Sequence, residues 1–301
     1  MKRLAPEGLV ALIAPAGPTS LDLQAAQRWM NERGYRLRIY PSVSSQQGYL
    51  AGSDTVRLQD FHDAFADPEV AAIFCLRGGY GTPRLLDRID FGLLHRNPKP
   101  FVGYSDITAL HLAISRLCGF VTFHGPLFKS ELLHGKLAPT ESALWQVLGG
   151  ELGLGDEIVH PAAFPLTTLQ PGVAQGRLLG GNLSLIGGTL GTPWEIDGDG
   201  IILFIEDVNE PLYRVDRLLT HLRLSGKLAG VKGVLVGDFA GIAVVDMAPL
   251  LADIFGPLGI PVLAGWRSGH CDPNLTLPMG AQVTLDASQQ RLWLAQDLFK
   301  G

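Results

Sequence analysis

The chain has 301 residues, 47% of them hydrophobic and 18% charged, which suits a globular protein of about two domains, each able to bury a core. A net charge of −5 with no block of Lys or Arg argues against nucleic acid or an anionic membrane surface as the main partner and favours a small-molecule substrate. Cys75, Cys118 and Cys271 are odd in number and widely spaced, so they suggest neither a disulfide framework nor a thiolate zinc site, and a reducing, cytoplasmic setting is the expectation. The stretch Met1–Ala16 superficially resembles a signal peptide, but its apolar run is short and a strand–loop–helix pattern follows at once. It reads as the first strand of the fold. No run has the length of a transmembrane helix.

In chain order, Leu9–Ala14 predicts a buried strand and Pro15–Pro18 a turn. Ser20 is placed to cap a helix that turns Leu23, Ala26 and Met30 inward and ends at Gly34. Tyr35, Leu37 and Ile39 alternate with arginines, as in a strand with one solvated face. Ser53 is placed to cap a helix using Leu58, Phe61 and Phe65, and Val70–Leu76 is a second buried strand. The loop Arg77-Gly-Gly-Tyr-Gly81 and a short helix near Pro83–Arg88 follow. A strand ending at Tyr104 then leads into a helix with Ile107, Leu110, Ile114 and Leu117 on one face. Repeated βα units of this size predict a parallel sheet of Rossmann or flavodoxin type, which binds ligands at the carboxyl ends of its strands.

Residues 149–172 are rich in Gly, Pro and Thr and lack periodicity, which predicts a linker. Beyond it lie a strand near Val173–Leu179, a short helix opened by Gly180-Gly-Asn-Leu183 and the apolar strand Ile201–Ile205. A helix from Pro211 to Gly226 comes next, then strands near Val231–Val236, Val262–Leu263, Val283–Leu285 and Leu292–Leu294. The expectation is an α/β protein with three parts. An N-terminal domain spans 1–150, a linker 151–172, and a smaller α+β domain 173–301.

Chemistry concentrates at a few positions. Ser105 follows a strand and precedes a helix, where its hydroxyl is either the helix N-cap or a nucleophile beside free N–H groups and a positive dipole end. Glu206 directly follows an apolar strand, so its carboxylate is either solvated at a rim or held by a partner. His270 lies in a turn-rich segment, as a surface imidazole or a base. In chain order these three make a nucleophile, an acid and a base for acyl transfer. The glycines after Arg77 read as a plain turn, a phosphate nest or a place where backbone approaches substrate. There is no G-x-S-x-G elbow, since Ile107 stands where its second glycine would be, no P-loop and no H-E-x-x-H.

As an ordered set, Arg77–Gly81, Gly103–Thr108, His124-Gly-Pro126, Gly180–Leu183, Glu206-Asp207 and Gly269-His270 resemble the serine LD-carboxypeptidases. These include murein tetrapeptide carboxypeptidases and microcin-immunity peptidases, and the resemblance spans about residues 5–295. It implies Ser105 as nucleophile, Glu206 as triad acid, His270 as base, and an oxyanion hole from the backbone of Gly79 and Asp106. It also implies a metal-free, cofactor-free, cytoplasmic homodimer that removes the terminal D-alanine from muropeptides in cell-wall recycling. Arg77, Arg214 and Arg267 are candidates for the substrate carboxylate by their nearness to the motifs, and Trp194 and Trp266 for flanking a groove. Two other functions stay open at this point, a microcin-immunity-type peptidase acting on peptidyl or aminoacyl nucleotides and a non-catalytic binder of a small anion.

Overall fold

The computed structural model describes residues 1–300. Five strands of the first sheet are parallel: Leu9–Ile13, Arg36–Ile39, Val70–Cys75, Phe101–Gly103 and Thr122–His124. Numbered along the chain, they lie side by side in the order 2-1-3-4-5, the flavodoxin arrangement. The order reverses between Leu9–Ile13 and Val70–Cys75. The loops leaving these two strands, 14–22 and 76–81, therefore diverge and open a crevice at the carboxyl edge. Leu9–Ile13 and Val70–Cys75 are apolar almost throughout because helices cover the sheet on both sides, leaving no wet face.

The second sheet has four parallel strands at its centre, Val173–Asn182, Ile201–Val208, Gly233–Ala240 and Val262–Ala264. Antiparallel strands close its two sides, Gln282–Asp286 with Arg291–Leu294 on one and Thr167–Gln170 on the other. Two segments cross the boundaries drawn from composition. Thr167–Gln170, inside the predicted linker, is a paired edge strand, and Leu277–Met279, late in the chain, joins the first sheet beside Thr122–His124. Phe74 and Phe123 of the first sheet share a continuous core with Phe204 and Leu235 of the second. Each such phenylalanine stabilises the fold by about 1.5–3 kcal/mol through its burial, so the two sheets are held as one packed body.

Local details depart from expectation in instructive ways. The first helix, Leu23–Glu32, is capped by Asp22, whose carboxylate accepts from the N–H groups of Gln24 and Ala25. Ser20 lies outside it, and Leu23 is exposed rather than inward. Ser53 does cap Asp54–Ala66, accepting from Val56 N–H. Leu117, placed on the apolar face of its helix by the sequence pattern, is exposed, as is Leu212 at the start of Leu212–Leu224.

Candidate active site

Ser105 ends the connection from Phe101–Gly103 and opens a short 3-10 turn that runs into the helix Thr108–Leu117. Its φ of +65° is the left-handed conformation, which costs a non-glycine residue about 1–2 kcal/mol. No side-chain cap bond forms there, so the capping role is not realised. The hydroxyl lies 3.2 Å from His270 Nε2, and His270 Nδ1 lies 2.7 Å from Glu206 Oε2. Since the carboxylate can only accept, Nδ1 carries the proton and Nε2 is left to receive one from Ser105.

Glu206 is fully buried, two residues before the end of the strand Ile201–Val208. Burial raises its pKa, against the pull of the His270 hydrogen bond and charge. Burial alone would lower His270, but the hydrogen bond and negative charge of Glu206, helped by Asp207 and Glu131, outweigh it and raise the imidazole above its ordinary value. Oε2 also accepts the His270 backbone N–H at 3.2 Å, while Oε1 has no partner among the described residues. A Cβ at Gly269, whose φ is +102°, would come within 2.5 Å of Oε2. Glycine is required there so that backbone can pass over the carboxylate.

The adjacent Asp207 fixes the surrounding loops. It accepts from Asn182 Nδ2, from Ser184 N–H and Oγ–H, and from Val208 N–H, each at 2.8 Å. The His270 loop is gripped from the first half of the chain. Buried Glu131 accepts from Leu127 N–H at 2.8 Å, Lys136 Nζ at 3.0 Å, Tyr104 OH at 3.2 Å and Asn274 Nδ2 at 3.3 Å. Asn274 Oδ1 in turn accepts from Gly269 N–H at 2.9 Å, and Lys136 Nζ donates to Cys271 O at 2.6 Å. The Tyr104 ring meets the imidazole edge-on at 4.8 Å between centroids.

Ser105 and His270 open onto a cleft of about 500 Å³ that Thr19, Arg77, Gly78, Gly79, Lys129 and Asn209 help to line. It occupies the crevice that the strand order predicts. Gly78 must be glycine because a Cβ would stand 2.9 Å from Ser105 Cβ. Gly79 bends the loop at φ +111°. The Asp106 N–H lies in the first helical turn, where no carbonyl of the helix can reach it. Burial pushes the Asp106 carboxyl up to about 6, although it accepts from Thr82 N–H at 2.8 Å.

The three candidate arginines separate. Arg77 lines the cleft from an exposed position, donating to Pro18 O at 2.9 Å. Arg214 lies outside the cleft lining and pairs with Glu210 at 3.5 Å at the exposed start of the helix Leu212–Leu224. Arg267 is taken up by Asp238 at 2.6 Å and by Asp272 O at 2.8 Å, and stacks over Phe164, so it faces away from Ser105. Trp266 is fully buried and neither tryptophan lines the cleft. His124 is also fully buried, in edge contact with Phe204, and burial holds its pKa well below the ordinary value. Lys129 and Glu131 went unnoticed in the sequence, since a charged residue in an aperiodic stretch reads as solvated surface.

Comparison with known proteins shows which family the chain resembles along its length. The model of the LD-carboxypeptidase N-terminal domain matches residues 10–125, and that of the LD-carboxypeptidase C-terminal domain matches residues 175–285. The chain is 40% identical over 290 residues to the protein of Bacillus subtilis (strain 168) named Probable murein peptide carboxypeptidase, covering 94% of this chain and 89% of that one. It is 33% identical over 299 residues to the Murein tetrapeptide carboxypeptidase of Pseudomonas aeruginosa, covering 95% of each. Among solved structures, an MccF-like protein from Bacillus anthracis superposes with a TM-score of 0.91 at 27% identity over 98% of both chains. With both halves matched in order and full-length relatives above 30% identity, this chain belongs to the LD-carboxypeptidase family.

Proposed function

We propose that this chain is a serine LD-carboxypeptidase that removes the terminal D-alanine from murein tetrapeptides, working as a cytoplasmic homodimer in cell-wall recycling. The observation that carries the reading is the unbroken line from Ser105 Oγ through His270 to Glu206, at 3.2 and 2.7 Å. In this scheme residues 1–150 supply the nucleophile and residues 173–301 the acid and base. Ser105 Oγ attacks the carbonyl carbon of the last amide bond as its proton passes to His270 Nε2. Glu206 holds the Nδ1 proton and balances the imidazolium charge. The N–H groups of Gly79 and Asp106 stabilise the oxyanion. The C–N bond then breaks, Nε2 returns the proton to the leaving amine, and D-alanine departs. A water molecule, deprotonated by the same imidazole, releases the shortened peptide from Ser105.

A second reading, cleavage of aminoacyl or peptidyl nucleotides, draws on the likeness to the MccF-like structure and on an exposed aromatic pair. Tyr49 and Tyr80 stand 5.8 Å apart beside the glycine loop, where a base could stack. They lie outside the cleft lining, which favours the murein reading.

The test is mass spectrometry of a murein tetrapeptide incubated with the native protein and with Ser105→Ala. Loss of one D-alanine with the native protein alone supports both substrate and nucleophile. Turnover by a folded Ser105→Ala variant would overturn the mechanism. Native turnover confined to aminoacyl nucleotides would move the assignment to the second reading.

A further inference from the structure

The turn Phe128–Leu133 is a single π-helical turn, the wide form that tends to occur at functional sites. It buries Phe128, Glu131 and Leu132 and turns Lys129 and Ser130 to the cleft that holds Ser105. Lys129 is fixed at both ends. Its backbone N–H donates to Leu76 O at 3.1 Å, at the carboxyl end of the central strand Val70–Cys75. Its ammonium donates to Thr19 Oγ1 at 2.8 Å and Ser20 Oγ at 3.3 Å, on the loop leaving the other central strand. Lys129 therefore joins the two loops that diverge at the switch in strand order, by its backbone N–H to one and by its ammonium to the other.

What Lys129 lacks is a counter-charge. Both of its side-chain partners are neutral hydroxyls, and no carboxylate lies within 4 Å of it among the described residues. Glu131, two residues on, faces the opposite way and is consumed by Lys136, Tyr104, Asn274 and Leu127. The side chain is partly buried, and its ammonium is held by neutral oxygens without an ion pair. A carboxylate arriving in the cleft would supply that pair, with the hydroxyl of Ser130 at hand as a further donor. An enzyme that cuts only the last residue from a peptide needs such a group, because the free α-carboxylate is what marks that residue as the last.

We propose that Lys129, held by Thr19 and Ser20, binds the terminal carboxylate of the substrate and so makes the enzyme an exopeptidase. This rests on the carboxypeptidase reading above and assigns a role in it that Arg214 and Arg267, each already paired, do not fill. Arg77 is the rival. It lines the same cleft but stands exposed at the rim.

The experiment compares two murein tetrapeptides, one ending in D-alanine and one in D-alaninamide, against the native protein, Lys129→Met, Lys129→Arg and Arg77→Met. The native protein should prefer the free acid in kcat/KM. Lys129→Met should shrink that acid-to-amide ratio by about 10- to 100-fold, the size of one lost charge-assisted hydrogen bond, mainly through KM. Lys129→Arg should recover part of it. Equal losses on both peptides, or collapse of the ratio in Arg77→Met instead, would overturn the assignment.

Binding of both peptides to Ser105→Ala, with and without Lys129→Met, separates this from failure of the murein reading. Native protein that turns over neither peptide refutes the murein reading. Lys129 is then judged by binding alone, and acid and amide bound alike would refute the anchor.

Discussion

Gly78 offers a sharp test of how Ser105, the proposed nucleophile, is held. Its backbone is outside the left-handed region, so alanine is conformationally allowed and any effect must come from the added methyl. That methyl would stand 2.9 Å from Ser105 Cβ and 3.1 Å from Ser105 Oγ. Ordinary carbon contacts are about 3.5–4.0 Å, so something must give by more than half an ångström. Ser105 cannot easily retreat, being at φ +65° with buried Tyr104 and Asp106 on either side. Overpacking of this kind costs about 1–3 kcal/mol. The Ser105–His270 bond, already 3.2 Å, would stretch past the hydrogen-bonding range, and kcat should fall about 100-fold.

The stability part is isolated by a double-mutant cycle with Ser105→Gly. That change removes the offending Cβ and relieves about 1 kcal/mol of backbone strain, roughly offset by the 0.5–1 kcal/mol that glycine adds to unfolded-state entropy. Gly78→Ala should then be nearly free in the Ser105→Gly background, leaving a coupling of about 1–3 kcal/mol. In thermal melts this reads as roughly 2–6 °C, at about 2 °C per kcal/mol for a chain of this size. Additivity within about 0.5 kcal/mol would refute the claim that Gly78 exists to make room for Ser105.

Two further outcomes follow from the electrostatics. Glu206→Gln removes the charge that holds the His270 pKa up and leaves burial to lower it, so the acid limb of kcat/KM should move to lower pH while kcat drops about 10³- to 10⁴-fold; a limb that stays put in a pH-rate profile would show that another group controls the base. Asp106 has a folded-state pKa of about 6 against an ordinary 3.8. The folded state therefore keeps a proton that the unfolded chain loses between about pH 4 and 6, and stability falls as pH rises through that window. With about 2 pH units at 1.36 kcal/mol each, Asp106→Asn should gain roughly 3 kcal/mol on the native protein between pH 4 and 7. Urea melts at the two pH values check this, and a constant difference would mean the carboxyl is not strained by burial.

The parts of the fold that were legible in the sequence are those buried on both sides. Val70–Cys75 and Ile201–Ile205 read as strands because only apolar residues survive where both faces of a strand are covered. Ser105 was legible because an apolar strand and an amphipathic helix meet there. Three-residue strands such as Thr122–His124 and Leu277–Met279 carry no measurable period, and the pairing between these two joins residues more than a hundred positions apart. The helix Val244–Phe255 is obscured by Pro249 inside it. Ser20 and Asp22 are equally good caps by type. The tertiary structure chooses Asp22 and leaves Ser20 beside the Lys129 ammonium. Arg267 misled for a related reason. Nearness to His270 in sequence says nothing of direction, and Asp238 draws its guanidinium to the other side.

Ser105 and His270, the proposed nucleophile and base, are 165 residues apart, one after a strand of the first sheet and the other on the loop leaving Val262–Ala264 of the second, so a 3.2 Å hydrogen bond between them demands that both sheets be fixed to a fraction of an ångström. Two devices supply this. The shared core around Phe74, Phe123 and Phe204 sets the distance between the sheets. The segment 131–140 then sets the angle of the His270 loop, since Lys136, Leu137 and Thr140 bond to Cys271 O, the Asp272 carboxylate and Asn274 N–H. Glu131 ties that clasp to Tyr104, the residue before the nucleophile. A buried carboxylate with four donors is costly to desolvate and contributes little net stability. Its worth lies in direction, because its bonds to Tyr104, Lys136 and Asn274 fix segments that flank the imidazole. The π-turn that carries Glu131 inward also carries Lys129 outward to the cleft. In the proposed mechanism one turn of chain thus orients His270 from behind and meets the substrate from in front, linking the position of the terminal residue to the bond that is cut.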